Sequence, residues 1–301
     1  MLYLLQQLLN GVHSAAIYAL LAFGYALGNG LLRRTNLAYG GIFAFCGQTM
    51  ILTAVYGWQV LWLTLPATVA FGILVALAYA GLLSRLLSRA VFAPLATRSP
   101  NAIVAATLGV LLVLSELSRI AADTHDYWLP PMLATPVVFA SSGNFVATLT
   151  VIQLINTEIV VLVIVGGTAF LARSDFGRHW RATADDPFAA QLCGIDTARV
   201  FHRALLYGGL CAGLAGVLAA LYYGNIGFGA GLVYGLKILF ITAVGGYYAP
   251  GRAALGAAIF GMAEALWAGY FPIEWRDAWM YALLAAMLVL AGDRKDAPSA
   301  V

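Results

Sequence analysis

The sequence alternates between long apolar stretches and short polar connections. Each stretch approaches the roughly 20 residues that a helix needs to cross the hydrocarbon core of a bilayer. The stretches lack the alternating apolar and polar residues of a membrane β-barrel. This pattern predicts an all-α polytopic membrane protein with about nine hydrophobic spans, of which one or two could be half-helices. The nine windows are 5–28, 36–55, 60–84, 101–121, 149–172, 203–223, 231–247, 252–271 and 277–291.

Composition agrees with this class. The chain has 301 residues, of which 62% are hydrophobic and only 10% are charged. A soluble domain carries about 25% charged residues, so these charges are too few to cover a soluble globule. The three cysteines, Cys46, Cys193 and Cys211, are scattered and predict neither a disulfide framework nor a zinc site. The N-terminus lacks the basic start of a signal peptide, so we interpret it as the first span.

The basic residues predict the orientation. Only Arg119 and Arg276 fall on one side of the nine spans. Because cytoplasmic connections are enriched in Lys and Arg, the other side is predicted to be cytoplasmic, with the N-terminus outside and the C-terminus inside. Loop 122–148 carries no Lys or Arg and is assigned to the outside. The basic residues of the cytoplasmic side are Arg33, Arg34, Arg85, Arg89, Arg98, Arg173, Arg178, Arg181, Arg199, Arg203, Arg252, Arg294 and Lys295.

Glycine is abundant, with 32 residues, many of them inside the spans. Small residues let helix backbones approach closely in lipid, which predicts a tightly packed bundle. Interrupted helices around a central pathway are the alternative, since transporters use them. The alternative applies best to 34–41 and 244–252, where turn-forming and polar residues lie beside short apolar runs.

One connection is polar and carries clear helix boundaries. Asp186 followed by Pro187 is typical of an N-cap and first helical residue, and Gly194 is typical of a helix end. A second helical turn is predicted just before, over 177–184, with Trp180 as an apolar anchor. We predict an apolar patch with a charged rim. Its members are Trp180, Phe188 and Leu192, surrounded by Arg178, Arg181, Asp185 and Asp196.

Such a segment could lie on lipid headgroups or enter a groove on a protein. The acidic residues argue against simple adhesion to anionic lipid. Mixed charges around an aromatic anchor suit a protein partner better.

Three stretches resemble permease subunits of bacterial ABC importers of the branched-chain amino acid type. They are GRHWRATADDPFAAQLCGI, which is similar to that family's coupling segment, GLLRRTNLAYGG, and the glycine-rich region with GLK and VGGYYAPG. The similarity covers nearly the whole chain. The chain departs from the family's pattern at Tyr39, where a histidine is usual, and in a C-terminus without the family's Arg-Pro-containing tail.

The resemblance implies a permease domain over 1–292, with a cytoplasmic coupling loop at 173–202 and a short polar tail at 293–301. It implies a multi-pass protein of the bacterial inner membrane that works with two ATPase subunits, a second permease subunit (a copy or a homologue) and a periplasmic solute-binding protein. The sequence contains no phosphate-binding G-x-x-x-x-G-K-[ST] loop, so ATP is used by the partner subunits, and this chain binds no cofactor. The residues expected to contact the ATPase are Arg178, Arg181, Asp185, Asp186, Pro187, Ala190 and Gly194.

Ionisable side chains inside spans are usually functional. Lys237 and Glu264 are therefore candidates for the translocation pathway, together with Asn36 and Tyr39. Lys237 could instead extend to the membrane interface or pair with an acidic residue such as Glu264 or Glu116, and Asn36 could be a helix cap. For Glu116, a local pair with Arg119 is expected.

A stand-alone secondary transporter driven by an ion gradient is the alternative function, with Glu264, Glu116 or Lys237 as the coupling group. No catalytic or metal-binding spacing is found among the histidines and serines, so we do not expect an enzyme. We expect contact with membrane lipid and none with nucleic acid.

Overall fold

The computed structural model describes residues 2–95, 100–142, 145–246 and 249–292. Each of the nine apolar windows coincides with a helix. Two further short helices lie in the polar connection before residue 197, and a 3₁₀ turn, Ile273–Trp275, precedes the last helix. The helices are α1 Leu2–Leu32, α2 Ala38–Gln59, α3 Leu65–Leu86, α4 Pro100–Ala121, α5 Val151–Arg173, α6 Asp175–Asp185, α7 Pro187–Leu192, α8 Thr197–Tyr223, α9 Ala230–Gly245, α10 Pro250–Tyr270 and α11 Arg276–Gly292.

Seven helices within the described ranges are long and apolar enough to cross a membrane. They are α1 to α5, α8 and α10, and α3 is extended by a π-helical turn, Leu87–Phe92, to Leu95. The other two windows form shorter helices, with 16 residues in α9 and 17 in α11. At 1.5 Å per residue these reach roughly 24–26 Å, which is less than the roughly 30 Å of a hydrocarbon core.

The expectation of an all-α protein is wrong in one place. The end of loop 122–148 and the residues after it form a β-hairpin, with β1 at Pro136–Ser142 and β2 at Phe145–Thr150. The strands are antiparallel and pair Pro136 with Thr150 and Ser142 with Phe145. The amide of Gln6 in α1 exchanges two hydrogen bonds with the backbone of Thr148, at 3.0 and 2.8 Å. The hairpin is thereby bound to the start of α1.

Helix α1 links two ends of the bundle. Its first turns contact the hairpin, and we call this the hairpin end. Near its last turn, the carbonyl of Leu27 accepts a hydrogen bond from the indole of Trp180 in α6 at 3.0 Å. We call this the α6–α7 end. The central part of α1 is almost wholly buried, because α8 and α10 pack along it.

Glycines set the closest helix contacts. A Cβ on Gly208 of α8 would lie 2.6 Å from the carbonyl oxygen of Gly24 in α1, and one on Gly216 would lie 2.1 Å from that of Phe43 in α2. Real Cβ atoms are not found this close to backbone oxygens. At these two helix crossings the glycines therefore act as packing residues, because the backbones meet without intervening side chains.

Candidate functional site: a charged cavity and a polar connection

Four charged side chains meet near the hairpin end. The ammonium group of Lys237 in α9 lies 3.0 Å from Oε1 of Glu264 in α10 and 2.9 Å from Oδ1 of Asp277 in α11. Nε of Arg276 lies 3.4 Å from the same glutamate oxygen and 3.5 Å from the same aspartate oxygen. We call Lys237, Glu264, Arg276 and Asp277 the charge cluster. Its two positive and two negative groups balance.

Burial differs across the charge cluster. The side chains of Lys237 and Glu264 are 5% and 10% exposed, whereas those of Arg276 and Asp277 are 34% and 49% exposed. Removing one member of a buried ion pair leaves an uncompensated charge, which typically costs about 3–5 kcal/mol. The buried pair therefore holds together α9 and α10, and the two outer members remain accessible.

The charge cluster faces a cavity of about 400 Å³ between α1, α8, α9, α10 and α11. Volumes of about 300–1,000 Å³ are typical of small-molecule sites. Nine-tenths of the Glu264 side chain is buried, and its Oε2 has no hydrogen-bond partner in the part of the chain that the structure describes. We call this the polar cavity. Besides the charge cluster, its polar lining consists of Gln7, Asn10, Ser14, Tyr18, Tyr222, Tyr223 and Tyr234.

A second cavity near the same end, of about 440 Å³, lies between α2, α3 and α4. Gln48, Thr49, Thr53 and Ser118 contribute to its lining, and none of the described residues that line it is charged. The two cavities are similar in size, so the charge cluster is what distinguishes the polar cavity chemically.

Toward the α6–α7 end the helices close up. Asn36 and Tyr39 border a pocket of only about 20 Å³, room for about one water molecule, between α1, α2, α3 and α8. The Tyr39 hydroxyl donates to the Leu21 carbonyl at 2.9 Å, and the Asn36 backbone N–H donates to the Tyr25 hydroxyl at 3.2 Å. The predicted pathway residues thus fall in two groups, with Lys237 and Glu264 at the polar cavity and Asn36 and Tyr39 at this constriction.

The stretches 34–41 and 244–252 contain the connections between α1 and α2 and between α9 and α10. Residues 33–37 join α1 to α2, and the turn begins with a positive φ of 51° at Arg33. Between α9 and α10, Gly246 has a φ of 89°, a backbone conformation that favours glycine. Residues 247 and 248 of the second stretch lie outside the described residues.

Trp180 is not part of an exposed patch, contrary to the prediction. It is 3% exposed and is held beneath α1 by its bond to Leu27. An aromatic ring in a polar segment can face a partner or the protein's own core, and sequence does not distinguish the two. The exposed apolar side chains are Phe188 and Leu192 of α7, at 69% and 75%.

Helix α7 begins and ends as the sequence predicts. Oδ1 of Asp186 accepts hydrogen bonds from the N–H groups of Phe188 and Ala189, at 2.8 and 3.1 Å, and Pro187 is the first helical residue. At the other end Gly194 has a φ of 82°. The N–H groups of Gly194 and Ile195 donate back to the carbonyls of Gln191 and Ala190, which is a Schellman motif. The buried side chain of Ala190 faces the protein.

The arginines of this segment bind within the chain. Arg178 pairs with Asp175 of the same helix, and Arg181 donates to the Leu171 carbonyl at 2.7 Å. Arg33 donates to the carbonyls of Ala184 and Asp185 at the end of α6, the latter at 3.0 Å. A cation suits the negative end of a helix dipole. These bonds join α6 to the ends of α1 and α5.

Comparisons with known proteins agree on the family. A protein-family profile described as "Branched-chain amino acid transport system / permease component" matches residues 7–292. The chain belongs to this family. It is 31% identical to the high-affinity branched-chain amino acid transport system permease protein LivH of Escherichia coli K12, over 96% of this chain and 94% of the relative. It is 29% identical to the corresponding protein BraD of Pseudomonas aeruginosa, over 95% and 93%. No solved structure matches the chain.

Membership of this permease family confirms the predicted resemblance, and with it a permease subunit. With seven helices able to cross a membrane, it also confirms a multi-pass protein of the bacterial inner membrane.

Sequence reasoning missed half of the charge cluster. Asp277 was not considered, and Arg276 was used only to orient the chain. The signal was present: an Arg-Asp pair begins the last apolar window, at the same end as Glu264 and Lys237. Glu116, the other proposed partner of Lys237, pairs instead with Arg119 at 2.7 Å, as its local alternative predicted. Within the described ranges, no group of three or more His, Cys, Asp or Glu could hold a metal ion.

Proposed function

We propose that this permease forms the pathway for branched-chain or related amino acids and small polar solutes in an ABC importer. The observation that carries the proposal is the family match over residues 7–292. The relatives' names state the transport of branched-chain amino acids. In the importer, two ATPase subunits supply the energy, a second permease subunit completes the membrane part, and a periplasmic binding protein delivers the solute. ATP binds to the partner subunits, and this chain binds no cofactor.

We propose further that all nine helices contribute to the membrane domain, with α9 and α11 crossing as short helices. The hairpin end then faces the outside and the α6–α7 end the cytoplasm. The distribution of basic residues supports this orientation: Arg173, Arg199 and Arg203 belong to the α6–α7 end, whereas Arg119 and Arg276 belong to the other. The predicted polar tail, 293–301, and the basic residues Arg98, Arg294 and Lys295 lie outside the described residues.

In this proposal α7 is the contact to an ATPase. Phe188 and Leu192 are one helical turn apart and highly exposed, as expected for anchors that enter a groove on a partner. The length of α7 is set by Asp186 and Pro187 at its start and by Gly194 at its end. The buried side chain of Ala190 packs the helix against the rest of the protein. Because Arg178 and Arg181 are bound within the chain, their role is to hold α6 in place, and Asp185 is an exposed rim charge.

Motion of α7 has a direct route into the membrane domain. Helix α6 is bonded to α1 through Trp180 and Arg33. Helix α1 in turn borders both the constriction near Asn36 and Tyr39 and the polar cavity. Closure of the ATPases would therefore tilt α1 and change both regions together.

The test is to co-express the chain with candidate importer ATPases of the same organism and to measure co-purification and solute-stimulated ATP hydrolysis. The double variant Phe188→Asp with Leu192→Asp should lose both, because two charges replace the anchors of α7. Ala198→Asp is the matched control: it adds a charge at an exposed position just beyond α7 and should retain both. If the native chain recruits no ATPase and moves solute alone on an ion gradient, the importer proposal fails, and the secondary transporter takes its place.

A further inference from the structure

The polar cavity contains groups suited to both ends of a zwitterion. Arg276 and Asp277 are adjacent in sequence, both line the cavity, and both are accessible. An arginine can bind a carboxylate through two parallel hydrogen bonds. The carboxylate of Asp277 lies next to Arg276 and can accept hydrogen bonds from an ammonium group. The spacing of these groups is short enough for the two charges of a single α-amino acid.

The buried members of the charge cluster keep this arrangement in place. Lys237 donates hydrogen bonds to both carboxylates, and its side chain is 5% exposed, so its role is to fix Glu264 and Asp277 in place and to offset the repulsion between them. Oε2 of Glu264 has no partner at normal hydrogen-bond geometry among the described residues, although the Tyr18 hydroxyl interacts with the same carboxylate, so this oxygen offers a further acceptor beside the cavity. A buried carboxylate oxygen is more stable with a well-aligned donor, and a bound ammonium group would supply one.

The rest of the lining suits an aliphatic side chain. Ile17, Val233, Ala265 and Ala268 contribute apolar surface to the cavity. Because the charge cluster is balanced, a ligand with net charge would leave an excess charge in a low-dielectric site, whereas a zwitterion would not. In the described part of the chain, the second cavity near the hairpin end has no charged lining residue and offers no such match.

We infer that the polar cavity is the binding site in this subunit for a zwitterionic aliphatic amino acid. Arg276 receives the carboxylate, Asp277 and Glu264 receive the ammonium group, and the apolar wall receives the side chain. Lys237 is a positioning residue. This inference rests on the proposed function, since it assigns a site to the solute that the importer would carry.

The experiment measures protection of a cysteine by solute in the assembled importer. Ser14→Cys, in a Cys193→Ser background, places a near-isosteric thiol in the polar cavity. Thr53→Cys in the same background places one in the second cavity as the matched control. Labelling by a membrane-impermeant cationic thiol reagent is followed with and without L-leucine, leucinamide (no carboxylate) and isovalerate (no ammonium group).

We expect L-leucine at about ten times its dissociation constant to slow labelling of Ser14→Cys about tenfold, because roughly one site in ten is then free. Leucinamide, isovalerate and the Thr53→Cys control should give no such protection. Adding Arg276→Gln should raise the leucine concentration needed for protection by about 10- to 100-fold, the usual effect of losing a charged hydrogen bond. The Lys237–Glu264 pair is intact in that variant, and its melting temperature and elution volume report folding.

The outcomes separate the inferred site from the proposed function, and three of them overturn the inference. Leucine import driven by ATP without protection at Ser14→Cys would place the site elsewhere, while the importer function would stand. Equal protection by leucinamide or isovalerate would exclude recognition of both charges. Equal protection of both cysteines would indicate a general closure and not a site. Protection by leucine without any ATP-driven import would support the site and overturn the proposed function.

Discussion

The two halves of helix α1 lie in opposite surroundings. Its first half contributes Gln7, Asn10, Ser14 and Tyr18 to a polar cavity of about 400 Å³. Its second half, from Gly24 onward, meets α8 backbone to backbone beside a pocket of about 20 Å³. The first half borders a cavity, across which the charge cluster joins the neighbouring helices. The second half is tightly packed, because glycines at the contact let the two backbones approach. A single continuous helix thus carries both an open and a closed region of the proposed pathway.

This comparison makes different residue types critical in each half. In the open half stability depends on charge pairs, and in the closed half on the absence of a methyl group. Matched substitutions separate the two.

The largest effect is expected at the charge cluster. Lys237→Met should lower the free energy of unfolding in detergent by about 3–5 kcal/mol, because it leaves Glu264 without its buried partner. Arg119→Met is the control, since it breaks the exposed pair with Glu116 and should give no measurable change. Chemical unfolding followed by tryptophan fluorescence measures both. Equal effects of the two variants would mean that charge pairing does not hold the open half.

An intermediate effect is expected at the α1–α8 crossing. Gly208→Ala should cost about 1–3 kcal/mol, since its methyl group would overlap the Gly24 carbonyl and force the helices apart. Gly109→Ala in α4, where the added methyl has no described atom beyond its own helix backbone and chain neighbours within 4 Å, should cause no loss and should favour the helix. Chemical unfolding followed by tryptophan fluorescence compares the two variants. If Gly208→Ala is tolerated as well as Gly109→Ala, the second half of α1 is not closely packed.

The smallest effect is expected at the constriction. Tyr39→Phe removes the hydrogen bond to Leu21 without changing the ring and should cost about 0.5–1.5 kcal/mol. Tyr56→Phe, at a half-exposed position, should be neutral. If Tyr56→Phe shifts the melting temperature as much as Tyr39→Phe does, the hydrogen bond of the Tyr39 hydroxyl does not stabilise this region.

Local sequence signals predicted local structure well. Nine apolar windows became nine helices, and the boundaries of α7 follow from Asp186, Pro187 and Gly194. These signals act through bonds between near neighbours, as does the pair of Glu116 and Arg119. The hairpin was missed because its strands lie beside prolines in a connection that carried no clear strand pattern, and its position depends on a distant residue, Gln6.

The candidate site was predicted only in part, because it depends on how distant helices pack. Lys237 and Glu264 were recognised individually, since a charge inside an apolar span stands out. Asp277 sits at the edge of a span, where a charge is unremarkable until the structure brings it to Lys237, 40 residues away in the chain. The predicted exposure of Trp180 was wrong for the same reason, because its partner, Leu27, lies 153 residues away in the chain.

The charge cluster also bears on how the protein is made. Lys237 leaves the ribosome well before its partners, Glu264 and Asp277, which follow 27 and 40 residues later. A lone lysine in an apolar segment is unfavourable in the hydrocarbon core. In the proposed membrane arrangement, α9 is therefore stable in lipid only beside α10 and α11. The last three helices are then expected to insert as a group.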